Sequence, residues 1–162
     1  MADSVALLDE ITTARLAELD TTNIPNDIKQ FGAGNLAIKT IVLSLAAVPV
    51  TETLFTVTGE VEVIVIGYID VAVTSGGALT LECGIAGATA GLIAQTAVAA
   101  LAINLLWIDA TPAVLVSKPA TKIIANGADI AHIIAAVAAT AGQITYYCWW
   151  RPLSSDGNVV AV

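Results

Sequence analysis

The sequence predicts a mainly β chain, an antiparallel β-sandwich of jelly-roll type with a short N-terminal α-helix. Between residues 56 and 74, Val57, Val61, Val63, Val65, Ile69, Val71 and Val73 all take odd positions, while Thr56, Thr58, Glu60, Glu62, Asp70 and Thr74 take even ones. That is the period of a strand. Turn formers recur at Pro49, Ser75-Gly76-Gly77, Pro112, Pro119, Asn126-Gly127 and Gly142, a density that suits many short strands. No fixed period of 20 to 50 residues is present, which sets solenoids and propellers aside.

Residues 3–20 read as the helix. Val5, Leu8, Leu16 and Leu19 recur near helical spacing with Ile11 at the edge, and Asp9, Glu10, Glu18 and Asp20 mostly face away. Asp3 or Ser4 can cap its start, and Pro25 forces Ile24 out of helical geometry. A helix this short is marginal in water alone, so its stripe needs a partner, either its own domain or copies of itself. Arg15 lies near the middle of the stripe, placed either to pair with Glu18 of a neighbour or to snorkel past a packed edge. Phe31-Gly32-Ala33-Gly34-Asn35 reads as a hinge. Residues 1–31 are therefore expected to form a helix and arm, and residues 36–162 the β domain.

Within that domain, strands are expected at 38–46, 53–58, 113–117, 121–125, 130–138 and 143–151. The segment 56–74 is a strand or a bent pair, with Gly59 and Gly67 marking a bend, a bulge or the close approach of another backbone. The turn at residues 75–77 should return the chain as an antiparallel partner through Leu79, Leu81 and Cys83. Alanine-rich 92–101 fits a short helix or an extended loop. The even face of 56–74 is polar at its ends, yet Ile64, Ile66 and Tyr68 occupy its middle. A face exposed to water should not carry them, so another subunit is expected to cover it.

Composition narrows the function. The 162 residues are 57% hydrophobic and 12% charged, too few charges to coat a monomer in the usual way. A net charge of −8 argues against nucleic acid, which requires a basic field. The apolar run 83–108 invites a membrane reading, but Gly84, Gly87, Thr89, Gly91, Gln95, Thr96 and Asn104 interrupt it, and Glu82 and Asp109 flank it in place of basic anchors. No membrane partner is expected. The start of the chain has no secretory-leader pattern, and Cys83 and Cys148 are read as buried free thiols.

The chemistry-bearing residues are sparse, and neither catalysis nor a cofactor is expected. His132, the only histidine, lies in an apolar run and reads as a core or interface residue. Cys83 with His132 could form a nucleophile and base, but no carboxamide or carboxylate is evident to orient them. Glu60 and Glu62 share a strand face without the aromatic cleft of a glycosidase. No calcium loop, phosphate loop or dinucleotide fingerprint occurs. The concentrated feature is Tyr146-Tyr147-Cys148-Trp149-Trp150-Arg151-Pro152. On a strand, Tyr146, Cys148 and Trp150 turn one way, leaving Tyr147, Trp149 and Arg151 as a surface set suited to a subunit contact or to sugar stacking.

Leu8-Asp9-Glu10-Ile11-Thr12-Thr13-Ala14-Arg15-Leu16-Ala17-Glu18-Leu19-Asp20-Thr21-Thr22-Asn23-Ile24-Pro25 resembles a helical segment of structural proteins of tailed bacteriophages, often trimeric ones. Gly84-Ile85-Ala86-Gly87, Trp107-Ile108-Asp109-Ala110-Thr111-Pro112 and residues 146–153 are similar to small virion proteins of the capsid decoration or cement kind. The resemblance implies a homotrimer on the outer surface of a capsid, bound to the major capsid protein. Leu8, Ile11, Arg15, Leu19, Ile64, Ile66 and Tyr68 are then the expected oligomer contacts. Ile24, Pro25, Ile28 and Phe31 are the expected capsid contacts. Two rivals are a glycan- or receptor-binding fibre module using Tyr147, Trp149 and Arg151, and an integral membrane protein.

Overall fold

The computed structural model describes residues 34–44 and 50–162. Among the described residues ten strands run in chain order: β1 (Asn35–Val42), β2 (Val50–Thr58), β3 (Val61–Ser75), β4 (Thr80–Ile85), β5 (Ala88–Ala97), β6 (Leu106–Trp107), β7 (Lys122–Ile124), β8 (Ile130–Ala135), β9 (Ala139–Pro152) and β10 (Asn158–Ala161). They form two antiparallel sheets. One has the order β1-β9-β3-β6, with β7 also on β3; the other has the order β10-β2-β8-β4-β5. These orders make a jelly roll, with β10 added beside β2. The predicted helix at 3–20 lies outside the described residues.

The core lies between the sheets. Val61, Val63, Val65 and Ile69 of β3 and Ile144, Tyr146 and Cys148 of β9 face Phe55, Val57, Leu81, Cys83, Ile93, Ile130 and Ile134 of the other sheet. The stretch 56–74 is thus two strands in opposite sheets, broken at Gly59. Its φ of +60° suits glycine, and a Cβ there would meet the Asp156 carboxylate at 2.5 Å. Gly67 keeps an extended backbone for a different reason. Its missing side chain makes room for Trp107, whose Cε3 would lie 3.0 Å from a Cβ. Gly67→Ala should therefore cost about 1–3 kcal/mol through overpacking, read as a lower urea midpoint at unchanged slope.

Several sequence expectations need correction. Residues 75–77 do not close a hairpin: β3 pairs with β6, β7 and β9, whereas β4 pairs with β5 and β8. The chain crosses to the other sheet there, so the apolar faces of β3 and β4 meet through the core instead of lying side by side. Residues 92–101 are mostly strand, followed by a 3-10 turn at Val98–Ala100. Register shifts between β4 and β5 leave Ile93 and Thr96 buried three residues apart, a spacing that imitates a helix. Residues 113–117 form no strand. Ala113 alone bridges to Leu106, because β7 occupies the next length of the β3 edge.

Val71 breaks the odd–even pattern and is 44% exposed. Between Ile69↔Ile144 and Val71↔Gln143, β3 advances two residues while β9 advances one, which turns Val71 outward. A second irregularity before Thr74↔Ala141 returns Val73 to the core.

Candidate functional site: the outer face of the β1-β9-β3 sheet

Register assembles the outer face in rows. Leu36, Trp149 and Ile64 lie side by side, and Ile38, Tyr147 and Ile66 form the next row. Alternation explains both, since Ala37, Cys148 and Val65 turn into the core. Leu36 and Ile38 are each about half exposed and Trp149 is 37% exposed, so two adjoining apolar rows meet solvent. Tyr147 and Trp149 stack with ring centroids 5.8 Å apart and planes 24° apart.

Polar rows bound this patch. At one end Arg151 pairs with Glu62, and Ile123 of β7 flanks them. Hydrogen bonding by Thr121, then the Arg151 bond and charge and the charge of Lys118, hold the Glu62 carboxyl below its ordinary value against the opposing effect of burial. At the other end the Thr145 hydroxyl donates to Asp70 Oδ2 at 2.7 Å. Its proton is thereby used, so Thr40 must donate across the 2.8 Å contact to Thr145. Tyr68 donates to Asn104 Oδ1 at 3.0 Å. An apolar centre inside a satisfied polar rim is how protein interfaces are built.

Ile64, Ile66 and Tyr68, expected as oligomer contacts, and Tyr147, Trp149 and Arg151, expected as a surface binding set, therefore occupy one face. Leu8, Ile11, Arg15, Leu19, Ile24, Pro25, Ile28 and Phe31 lie outside the described residues. Sequence reasoning did not place Leu36 and Ile38 on this face. Their spacing with Val42, opposite Ala37 and Ile41, carried the signal, but in a strand this apolar the alternation does not say which side is inside.

The interior holds a second constellation. Across the other sheet, Glu52 of β2, His132 of β8 and Cys83 of β4 are register neighbours. His132 is fully buried; its Nδ1 lies 3.1 Å from Tyr146 Oη and its Nε2 lies 3.7 Å from the Glu52 carboxylate. Glu52 is a carboxylate beside the ring that the sequence did not reveal, but at 3.7 Å it makes no hydrogen bond, and Nε2 has no hydrogen-bond partner among the described residues. Burial holds the His132 pKa down to about 4. Burial and the neighbouring Cys148 push the Cys83 thiol well above its ordinary value. Cys148 is raised to about 12 by burial, and both cysteines are free. At neutral pH the thiol stays protonated and the imidazole neutral, so this trio holds no thiolate nucleophile.

Among the described residues no three His, Cys, Asp or Glu side chains converge to hold a metal ion. No helix there is long and apolar enough to cross a membrane. No protein-family model, curated protein or solved structure matches this chain.

Proposed function

We propose that this chain is a non-catalytic virion protein of a tailed bacteriophage, a decoration or cement protein on the capsid surface. It forms a homotrimer and binds the major capsid protein, stabilising the shell against the pressure of packaged DNA. The observation that carries this reading is the pair of solvent-facing apolar rows on β1, β9 and β3 within a polar rim. A chain so poor in charge gains by burying that face against protein. Jelly rolls serve in viral capsids and in lectins alike, so the fold is an analogy and the face is the argument. The acidic balance of −8 disfavours nucleic acid, and the polar interruptions and acidic flanks of the apolar run 83–108 disfavour a membrane.

Light scattering of the full chain in detergent-free buffer should give about 50 kDa, three times the 16.5 kDa chain. A monomer would overturn the assembly. Deleting residues 1–31, which include the expected capsid contacts Ile24, Pro25, Ile28 and Phe31, should abolish capsid binding and leave the β domain folded. Retained binding in a shell co-sedimentation assay would remove the arm from that role.

A glycan- or receptor-binding fibre module is the second reading, favoured by the outer-face stack of half-buried Tyr147 on exposed Trp149 beside Arg151. Aromatic faces of this kind also stack on sugar rings. A glycan array without a ligand for the intact protein would end it.

A further inference from the structure

A closed ring of three needs two different surfaces on each subunit, one to receive and one to insert, whereas a two-fold pair uses one surface twice. The outer face of β1, β9 and β3 is the first. The second lies along the far edge of the same sheet, where the chain runs from β6 to β7. There Val114 is 77% exposed, Leu115 86% and Ile123 69%, among the highest exposures of any large apolar side chain described. Val114-Leu115-Val116 is a continuous apolar run that follows directly on the Ala113 bridge to β6. Soluble domains rarely present such a run without a partner for it.

Charge indicates what that partner is. Between Asp109 and Asp129 the sequence has no carboxylate, and it carries Lys118 and Lys122, both exposed, in a chain of net charge −8. This strip is locally basic and apolar while the rest of the molecule is acidic, so a second copy of the chain is an electrostatically favourable occupant. The receiving face is complementary through Asp70: Glu62 is already served by Thr121, Arg151 and Lys118 of its own chain, whereas Asp70 has only the Thr145 hydroxyl and no cation in ion-pair range among the described residues. Packing strip onto face covers both surfaces and repeats around a ring.

We infer that the 114–123 strip of one subunit seats on the outer face of β1, β9 and β3 of the next, contacting Leu36, Ile38, Tyr147 and Trp149, so that each subunit both inserts and receives. This inference rests on the self-assembly reading above and gives it a geometry.

Ile38→Glu blocks the face and Leu115→Glu blocks the strip, both at exposed positions in the full-length protein. Each variant alone should fall from the trimer mass to the monomer mass, a threefold loss by light scattering. Mixed in equal amounts they should recover a species of twice the chain mass and no larger, because one intact strip meets one intact face and the remaining surfaces are blocked. A Leu115→Glu protein that keeps the wild-type mass, or a mixture that stays monomeric, would overturn the strip-on-face geometry and leave self-assembly standing. A monomeric wild type would instead overturn self-assembly itself. Near-UV circular dichroism reports on folding, and Ile38→Thr, which keeps a β-branched residue in the strand, should weaken the trimer in the same direction if the charged replacement disturbs β1.

Discussion

Trp107→Ala should destabilise the domain by about 3–5 kcal/mol, a large part of the 5–15 kcal/mol that holds typical domains folded. Trp107 is fully buried on the two-residue strand β6, and its ring centroid lies 6.1 Å from that of Tyr146. Its indole N–H donates to Thr96 Oγ1 at 2.8 Å, and that hydroxyl donates in turn toward the carbonyls of Ala94 and Asp109. One side chain thus fills the space left by Gly67 and ties β5 to the loop after β6. Alanine would leave a cavity facing Gly67 and remove the donor from a buried hydroxyl. Trp107→Phe separates the two effects: it keeps most of the ring and should lose about 0.5–1.5 kcal/mol for the hydrogen bond plus a smaller packing term. The pair with Gly67 gives a sharper test. Gly67→Ala, costly in the wild type because its Cβ meets Trp107, should become neutral or stabilising once the indole is gone. Urea melts of the four proteins measure the coupling. Additive losses would show that the indole does not fill the Gly67 site.

The strands were legible where the physics of a two-sided sheet is local. From Val61 to Ile69 every odd residue except Gly67 is apolar and inward, and the sequence shows it directly. Legibility failed where the backbone loses step. The irregularity at Val71 and the first one between β4 and β5 each displace the pattern by a residue, the second one between β4 and β5 by three, and a period of two cannot survive an odd number of inserted residues. Strand partners were harder still. The Ser75-Gly76-Gly77 turn has hairpin composition, but whether the chain pairs with itself or crosses the core depends on β9 taking the long edge of β3, and β9 is some seventy residues away in sequence. The candidate face was half visible. Ile64, Ile66 and Tyr68 stood out as apolar residues where polar ones belong, and Tyr147 and Trp149 stood out by composition. That they share a surface is a property of register, which only the pairing of β3 with β9 reveals.

The second large effect is expected in acid and centres on His132. Its pKa is about 4 in the folded domain against an ordinary 6.5, and burial is the cause. An unfolded chain takes up this proton near pH 6.5 while the folded one resists it. Stability linked to the neutral ring is therefore fully present above pH 6.5, declines as pH falls, and is lost once pH passes below about 4. At about 1.4 kcal/mol per pKa unit the loss comes to a little over ~3 kcal/mol. The groups around the ring set its details. Nδ1 lies 3.1 Å from the Tyr146 hydroxyl, while Nε2 is buried with no hydrogen-bond partner among the described residues, the Glu52 carboxylate standing 3.7 Å away. Tyr146 keeps its own proton, since burial raises its pKa well above the ordinary value. The window distinguishes His132 from the carboxylates. Glu62 and Asp109 have lowered pKa values, so their contributions are present above their ordinary values of 4.5 and 3.8 and disappear only below them. The decline between pH 6.5 and 5 therefore belongs to the histidine. His132→Asn, with an amide able to meet the Tyr146 hydroxyl, should be less stable at pH 7 but nearly flat across that window in urea melts. A wild-type curve that is already flat from pH 6.5 to 5 would show that the buried ring titrates with its partners in place, stabilised by Glu52 as an ion pair.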